Sequence, residues 1–234
     1  TVATGEKVKP LRMKISKAKE RALMKEFGLD EAVLSEEDLA KPGFEGAKCI
    51  CSPPPRNKAN QSVIWDGLDS GLFHIFSSDH APFRYQSETG KMLKGESTPF
   101  NWIPNGVPGI ETRLPILFSE GVKKGRISLN KFVELVSTNP AKMYGLHPRK
   151  GAIAVGSDAD VVVFDPDLRR VIRSDKLHHN VDYTPYEGMV VDGWPVTVLS
   201  RGQVVIGDGK LMAAAGQGQF LPCGRPEMAR PKVA

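Results

Sequence analysis

A strand, a helix and a second strand follow one another within residues 48–79, and this succession constrains the fold more than any other feature of the sequence. Residues 48–52 form a short apolar run that three prolines end, and residues 72–79 form a second apolar run. Between them, apolar side chains recur at helical spacing over residues 58–69, and Gly71 follows as a helix stop. Two strands joined by a helix are typical of a parallel sheet, so we expect an α/β fold.

The pattern changes after residue 83. Residues 84–108 are polar and rich in glycine and proline, which is typical of a lid or a binding loop when it occurs inside a compact domain. Apolar periodicity then predicts three helices, at about residues 110–121, 128–136 and 138–144, with Ser128 as the N-cap of the second. Nearer the N-terminus, Ser35 and Asp38 stand at capping-box spacing and predict the start of a short helix.

Four segments follow from these patterns. We expect residues 1–34 to form a basic helical segment of unclear role and residues 35–148 to form one α/β part. Short β-rich runs separated by glycine, proline and aspartate predict a small sandwich-like β unit over residues 149–212. Residues 213–234 are rich in glycine, proline and alanine and are expected to form an extended tail.

Charge and cysteine content exclude several classes of function. The net charge is +5, and eight basic residues against one acid stand between residues 7 and 25. No nucleic-acid motif accompanies them, so a solvated helix face is preferred to a nucleic-acid or membrane patch. No apolar run approaches the ~20 residues that span a bilayer. Cys49 and Cys51 would point to opposite faces of a strand, which argues against a disulfide between them. We expect a cytoplasmic location, with no nucleic-acid or membrane partner.

Asp79 is the first candidate for chemistry. It ends the second predicted strand, and in a β/α barrel the active site lies at that end of the strands. A buried carboxylate needs a cation or several donors to stay ionised, and a divalent metal would supply that charge. From the residues alone, an aspartate that caps the following loop or helix is the preferred explanation.

Three further residues lie near the same predicted strand ends. The side chain of His80 should point away from the face of Asp79, so we expect it to support a metal ligand rather than to bind metal. Ser52 precedes prolines that cannot donate hydrogen bonds, and Asn105 lies in a loop within reach. On local grounds alone, a strand terminator is the preferred explanation of Ser52 and a turn residue that of Asn105. We expect His74 to be a core histidine.

Five short motifs occur in a fixed order along residues 42–160. They are Pro42–Lys48, Cys51–Arg56, Ser77–Phe83, Ile103–Gly106 and Gly151–Asp160. Together they resemble the C-terminal portion of the dihydropyrimidinase and D-hydantoinase family of the amidohydrolase superfamily. The likeness runs from about residue 35 to about residue 222.

This resemblance implies the last strands and helices of a (β/α)8 barrel over residues 35–148, followed by part of a β-sandwich over residues 149–212. It implies a metal-dependent hydrolase with two zinc ions, whose bridging hydroxide opens a dihydropyrimidine or hydantoin ring to an N-carbamoyl amino acid. Asp79 matches the metal-binding aspartate, which also passes a proton to the leaving nitrogen. Ser52 and Asn105 match positions that hold the substrate mainly through backbone groups. Family members are commonly tetramers, which implies a homo-oligomer.

The chain also departs from the family pattern. No histidine precedes His74, so the family's other metal ligands, which lie upstream, cannot be mapped. A zinc site needs at least three protein ligands, so the isolated chain is expected to be inactive. Two alternatives stay open: a catalytically inactive dihydropyrimidinase-related scaffold, and an allantoinase- or dihydroorotase-type hydrolase. The retained Asp79 and Asn105 favour an enzyme, and the contexts of Ser52 and Asn105 favour the hydantoinase type.

Overall fold

The structure, a computed structural model, describes residues 34–228. The predicted basic helical segment over residues 1–34 therefore lies almost entirely outside the described residues, as do the last residues of the predicted tail. Among the helices of the described part, none combines the length and the apolar character that crossing a membrane requires.

Two helices form where local sequence signals predict them. Helix α1 spans Glu36–Leu39, and the Asp38 carboxylate accepts a hydrogen bond from the backbone N–H of the N-cap residue Ser35 at 2.7 Å. Helix α2 spans Gln61–Ser70 and ends at Gly71, whose φ of +81° favours glycine. Both predictions are confirmed.

The two predicted barrel strands do not form a ladder. A 3-10 turn over Glu45–Cys49 overlaps the predicted strand 48–52, and residues 72–79 have no regular secondary structure. The adjoining His80 makes one isolated parallel bridge, to Val107. A parallel strand needs a neighbour that is distant in sequence, and residues 34–228 supply none for these two runs. The prediction of two strands is therefore wrong, and the (β/α)8 barrel stays a prediction.

The polar loop over residues 84–108 contains regular structure and is packed. Strand β1 spans Leu93–Glu96, and a 3-10 turn follows at Phe100–Trp102. At the start of the loop, the Tyr85 N–H donates to the Asp182 carboxylate at 2.6 Å. Tyr85 belongs to a buried cluster that also contains Ala47, Ile50, Ile103 and Tyr183.

The next part of the chain is helical, as predicted. Helices α3 and α4 each continue into a π-helical turn, and the hydroxyl of Ser128 caps α4 by accepting a hydrogen bond from the Lys131 N–H at 3.0 Å. The bounds are Arg113–Leu117 for α3, Leu129–Val133 for α4 and Asn139–Met143 for α5. These helices bury one apolar cluster together with α2: Leu68, Leu117, Phe118, Ile127, Phe132 and Leu135.

After Pro148 the chain forms one antiparallel sheet of four strands in sequence order. Strand β2 pairs with β3, β3 with β4, and β4 with β5. Strands β2 and β3 each merge two of the predicted short runs across a register shift. The bounds are Val161–Val171 for β2, Val190–Ser200 for β3, Gln203–Gly207 for β4 and Lys210–Leu211 for β5. The sandwich stays a prediction.

The sheet packs on the helical part through a second apolar cluster. Ile116 of α3 meets Ile172, Val191 and Trp194, and all four side chains are buried. Helix and sheet therefore share a core, which holds the helical part in place beside the sheet.

The tail returns to helix α5. It has no helix or strand of its own between residues 212 and 226. The Gly224 N–H donates to the Gly145 carbonyl at 2.8 Å, and the Glu227 N–H donates to the Lys142 carbonyl at 3.0 Å. Nδ1 of His147 lies 3.0 Å from the Glu227 carboxylate. These contacts tie the tail to the C-terminal end of α5 and to the turn that follows it.

Candidate active site

Three backbone segments meet at one place, which we call the junction: residues 50–52, 79–81 and 104–107. The Ala81 N–H donates to the Val107 carbonyl at 3.2 Å, and the Gly106 N–H donates to the Ile50 carbonyl at 3.1 Å. These bonds join all three segments. Each segment carries one of the predicted site residues: Ser52, Asp79 and Asn105.

Gly106 lets two of these segments approach each other. Its φ of +150° is one that side chains rarely adopt. A Cβ at this position would lie 2.4 Å from the Ala81 carbonyl oxygen and 2.7 Å from the Ala81 Cβ. Any other residue would therefore push the segment of Asn105 away from that of Asp79.

Asp79 is exposed, so the prediction of a buried carboxylate is wrong for the described part of the chain. That prediction assumed neighbouring strands on both sides, and residues 34–228 do not provide them. The backbone of Asp79 adopts the left-handed region, with φ of +43°. Arg201 and Asp208 also have positive φ, but they lie in the turns that follow β3 and β4. A left-handed aspartate outside a hairpin is a strained feature of the kind that collects at functional sites.

The charge of Asp79 affects the pKa of a thiol in the neighbouring segment. Burial raises the pKa of the Cys51 thiol, and the Asp79 carboxylate raises it further, against the opposite effect of the Lys91 ammonium. Asp79 is therefore close to Cys51, the residue before Ser52.

Ser52 and Asn105 are both exposed at the junction. Within residues 34–228, neither side chain makes a hydrogen bond to another described group. They are therefore open to a ligand that lies over the junction, although their role as substrate contacts stays a prediction.

His80 has a defined tautomer. Its Nδ1 accepts hydrogen bonds from the Gly109 N–H at 3.0 Å and from the Ile110 N–H at 3.3 Å. Because Nδ1 accepts, a neutral ring carries its proton on Nε2, which is left to donate. His179 lies close by, and its pKa is lowered by burial and by His80. A residue that orients a metal ligand through a hydrogen bond needs such a fixed ring. This role for His80 stays a prediction.

Lys91 contacts two segments of the junction, and sequence reasoning missed it. Its side chain is fully buried, and Nζ donates to the carbonyls of Ile50 and Pro104 at 3.0 Å each. Burial lowers its pKa to about 8. A lysine in a polar loop is normally solvated, so nothing in the sequence marked it.

The described residues do not make a complete metal site. Within residues 34–228, no three histidine, cysteine, aspartate or glutamate side chains lie together in a group that could hold an ion. Asp79 offers one ligand where zinc needs at least three from protein. His74 is exposed rather than buried in the core, because the face on which it lies is not covered by described residues. Cys49 and Cys51 are both free thiols, as predicted.

Comparison with known proteins identifies the family. Residues 32–205 match the amidohydrolase family, so the chain belongs to it. Membership implies a divalent metal. Within the family, the chain is 50% identical over 189 residues to a D-hydantoinase of Geobacillus stearothermophilus, covering 81% of this chain and 39% of the relative. It is 43% identical over 193 residues to a D-phenylhydantoinase of Escherichia coli O1:K1, covering 82% and 40%.

Solved structures agree. The fold matches a D-hydantoinase of Bacillus sp. AR9 with a TM-score of 0.77 at 49% identity, covering 81% of this chain and 41% of that one. It matches the dihydropyrimidinase of Brevibacillus agri NCHU1002 with a TM-score of 0.79 at 49% identity, covering 86% and 42%. The described fold is therefore of the amidohydrolase type, and the chain spans about two fifths of the length of these relatives.

Proposed function

We propose that this chain forms part of a hydrolase that opens cyclic amides, converting a dihydropyrimidine or hydantoin ring into an N-carbamoyl amino acid. The observation that carries the proposal is the junction, where backbone hydrogen bonds bring the segments of Ser52, Asp79 and Asn105 together. The three residues lie far apart in sequence. The local explanations, Ser52 as a strand terminator and Asn105 as a turn residue, do not account for the contact of their segments with that of Asp79.

Each residue has a role that its position allows. Asp79 presents an exposed carboxylate that can take up a proton and release it to the ring nitrogen as the C–N bond breaks. Backbone groups at Ser52 and Asn105 can hold the polar edge of the ring from two sides. Ring opening adds water across the amide: its oxygen goes to the carbonyl carbon, and a proton goes to the leaving nitrogen.

The proposal includes a divalent metal centre, with two zinc ions by family resemblance. This chain would contribute Asp79, and the other ligands would come from outside residues 34–228. A metal there would make hydroxide available near neutral pH. For the same reason, we propose that the described residues alone are inactive.

Two competing functions fit less well. A scaffold relative without the metal-binding aspartate is disfavoured because Asp79 is present in a strained, exposed position. An allantoinase or dihydroorotase is disfavoured by the 42–50% identity to hydantoinases. A cytoplasmic homotetramer completes the proposal by analogy with the family.

The test is a chimera in which residues 34–228 replace the matching part of the Geobacillus D-hydantoinase. We expect it to open dihydrouracil or hydantoin, because the replaced part is half identical. Asp79→Asn keeps the shape and tolerates the left-handed backbone, and should lower kcat by about 10²- to 10⁴-fold, the usual contribution of an acid–base group. Asp69→Asn, at an exposed carboxylate on α2, is the matched control. A folded chimera that loads metal and opens neither ring would overturn the proposal, as would unchanged turnover by Asp79→Asn.

A further inference from the structure

Lys91 occupies an unusual environment for an ammonium group. Its relative exposure is 0%, and among the described residues no carboxylate pairs with it. The groups facing it are two backbone carbonyls and the thiols of Cys49 and Cys51. Burying an unpaired cation is unfavourable, so an apolar side chain would suit this position better if packing were its only task.

The two carbonyls each lie within two residues of a predicted substrate-contacting residue. Ile50 lies two residues before Ser52, and Pro104 directly precedes Asn105. The Ile50 carbonyl accepts from the Gly106 N–H at 3.1 Å as well as from Lys91 at 3.0 Å, so both its acceptor positions are used. The Lys91 ammonium thus bridges the segment of Ser52 and the segment of Asn105.

We propose that Lys91 is a positioning residue for the substrate site: its ammonium fixes the separation between the peptide groups around Ser52 and those around Asn105. The inference rests on the proposed function, which supplies the reason for holding these two peptides at one spacing. A hydrogen bond from a charged donor is stronger than a neutral one, and the buried site removes competing water. Lys91 does not touch substrate; it acts through the peptides that do.

Lys91 changes its charge at a lower pH than the neighbouring thiols do. The pKa of Lys91 is lowered to about 8 by burial, whereas burial raises the pKa of Cys49 to about 11 and that of Cys51 in the same direction. Near pH 8 both thiols are therefore neutral. Loosening of the junction as the pH rises through about 8 would then report Lys91 ahead of both thiols.

The first measurement is amide hydrogen exchange at Gly106 in the chain as it stands. Lys91→Met removes the donor while keeping an unbranched apolar stem, and should speed exchange at Gly106 about tenfold or more, since the partner of that N–H is no longer held. Lys94→Met, at an exposed lysine in β1, is the matched control and should leave Gly106 unchanged. In the wild type, exchange corrected for the intrinsic pH effect should rise between pH 7 and pH 9, and this rise should be absent from Lys91→Met.

The second measurement is steady-state kinetics in the chimera. Lys91→Met should raise KM about tenfold with a smaller change in kcat and unchanged metal content, because substrate positioning is lost and the chemistry is not. If Lys91→Met does not fold, Lys91→Gln keeps a donor and should give a KM between those of wild type and a donor-free site. Unchanged KM and unchanged Gly106 exchange in a folded variant overturn the inference. A wild-type chimera without activity, in which Gly106 exchange still depends on Lys91, refutes the proposed function and leaves the bridging contact standing.

Discussion

The sheet β2–β5 and the segments around Asp79 differ in where their backbone partners come from. Each strand of the sheet pairs with the next strand in the sequence, so local turns complete the ladder. The segments at residues 48–52 and 72–79 have apolar, strand-like sequences but no ladder among the described residues. Antiparallel hairpins carry their own partners, whereas parallel barrel strands depend on distant parts of a chain.

Individual apolar side chains in the two regions differ widely in burial. Ile172 and Val191 next to and within the sheet are 1% and 0% exposed, while Leu72 and Val63 on the barrel-like side are 72% and 65% exposed. An apolar side chain such as Ile172 therefore contributes more to the free energy of unfolding than one such as Leu72.

The largest effect should come from a matched pair of truncations. Ile172→Ala should lower the free energy of unfolding by about 2–5 kcal/mol, because it leaves a cavity in the cluster with Ile116 and Trp194. Leu72→Ala should change it by no more than about 0.5 kcal/mol, because that side chain is already in water. Urea unfolding followed by tryptophan fluorescence measures both. A Leu72→Ala variant as unstable as Ile172→Ala would erase the distinction between the two regions.

A smaller effect should appear in alkaline solution, because the barrel-like side buries the thiol of Cys49. Burial raises the pKa of Cys49 to about 11, above the unfolded value of about 8.5. Its contribution is therefore complete below about pH 8.5 and is lost as pH rises through the folded pKa. Between pH 7.5 and 10.5 the wild type should lose about 2–3 kcal/mol more than Cys49→Ala does.

Cys223→Ala serves as the control for that titration, because Cys223 is exposed. Its pH dependence should follow the wild type. Parallel curves for wild type and Cys49→Ala would show that the thiol is not buried in solution.

The smallest effect concerns a contact that joins the two regions. The Glu111 carboxylate accepts hydrogen bonds from the backbone and Nδ1 of His178, at 2.6 and 2.9 Å, and raises the pKa of His178. A raised histidine pKa stabilises the fold at low pH, and that contribution is lost as pH rises through the folded pKa. Glu111→Gln should lower the His178 pKa in an NMR titration and cost no more than about 1 kcal/mol below pH 6, since solvent partly screens the half-exposed His178.

The sequence predicted the parts of the fold that depend on local chemistry. The capping box at Ser35, the stop at Gly71 and the cap at Ser128 all require only neighbouring residues, and all three formed. The prediction of strands at 48–52 and 72–79 failed because pairing depends on residues far away in sequence.

For the candidate site, the motifs placed Ser52, Asp79 and Asn105 in segments that do meet. They did not indicate Lys91 or the need for glycine at position 106, because both follow from contacts between segments. A lysine in a loop and a glycine after an asparagine have many ordinary explanations in sequence. Only the distances from Nζ to two carbonyls, and from a hypothetical Cβ to Ala81, give them a specific task.

The return of the tail to α5 has a mechanical consequence. A load applied between residues 34 and 228 would pass through the hydrogen bonds from Gly224 to Gly145 and from Glu227 to Lys142 before it reached the sheet. The four strands form a loop that starts and finishes at the same helix, so those few bonds shield them from tension. In a stretching experiment the hydrogen bonds between the tail and the end of α5 should break first, and only then should β2 and β3 begin to separate.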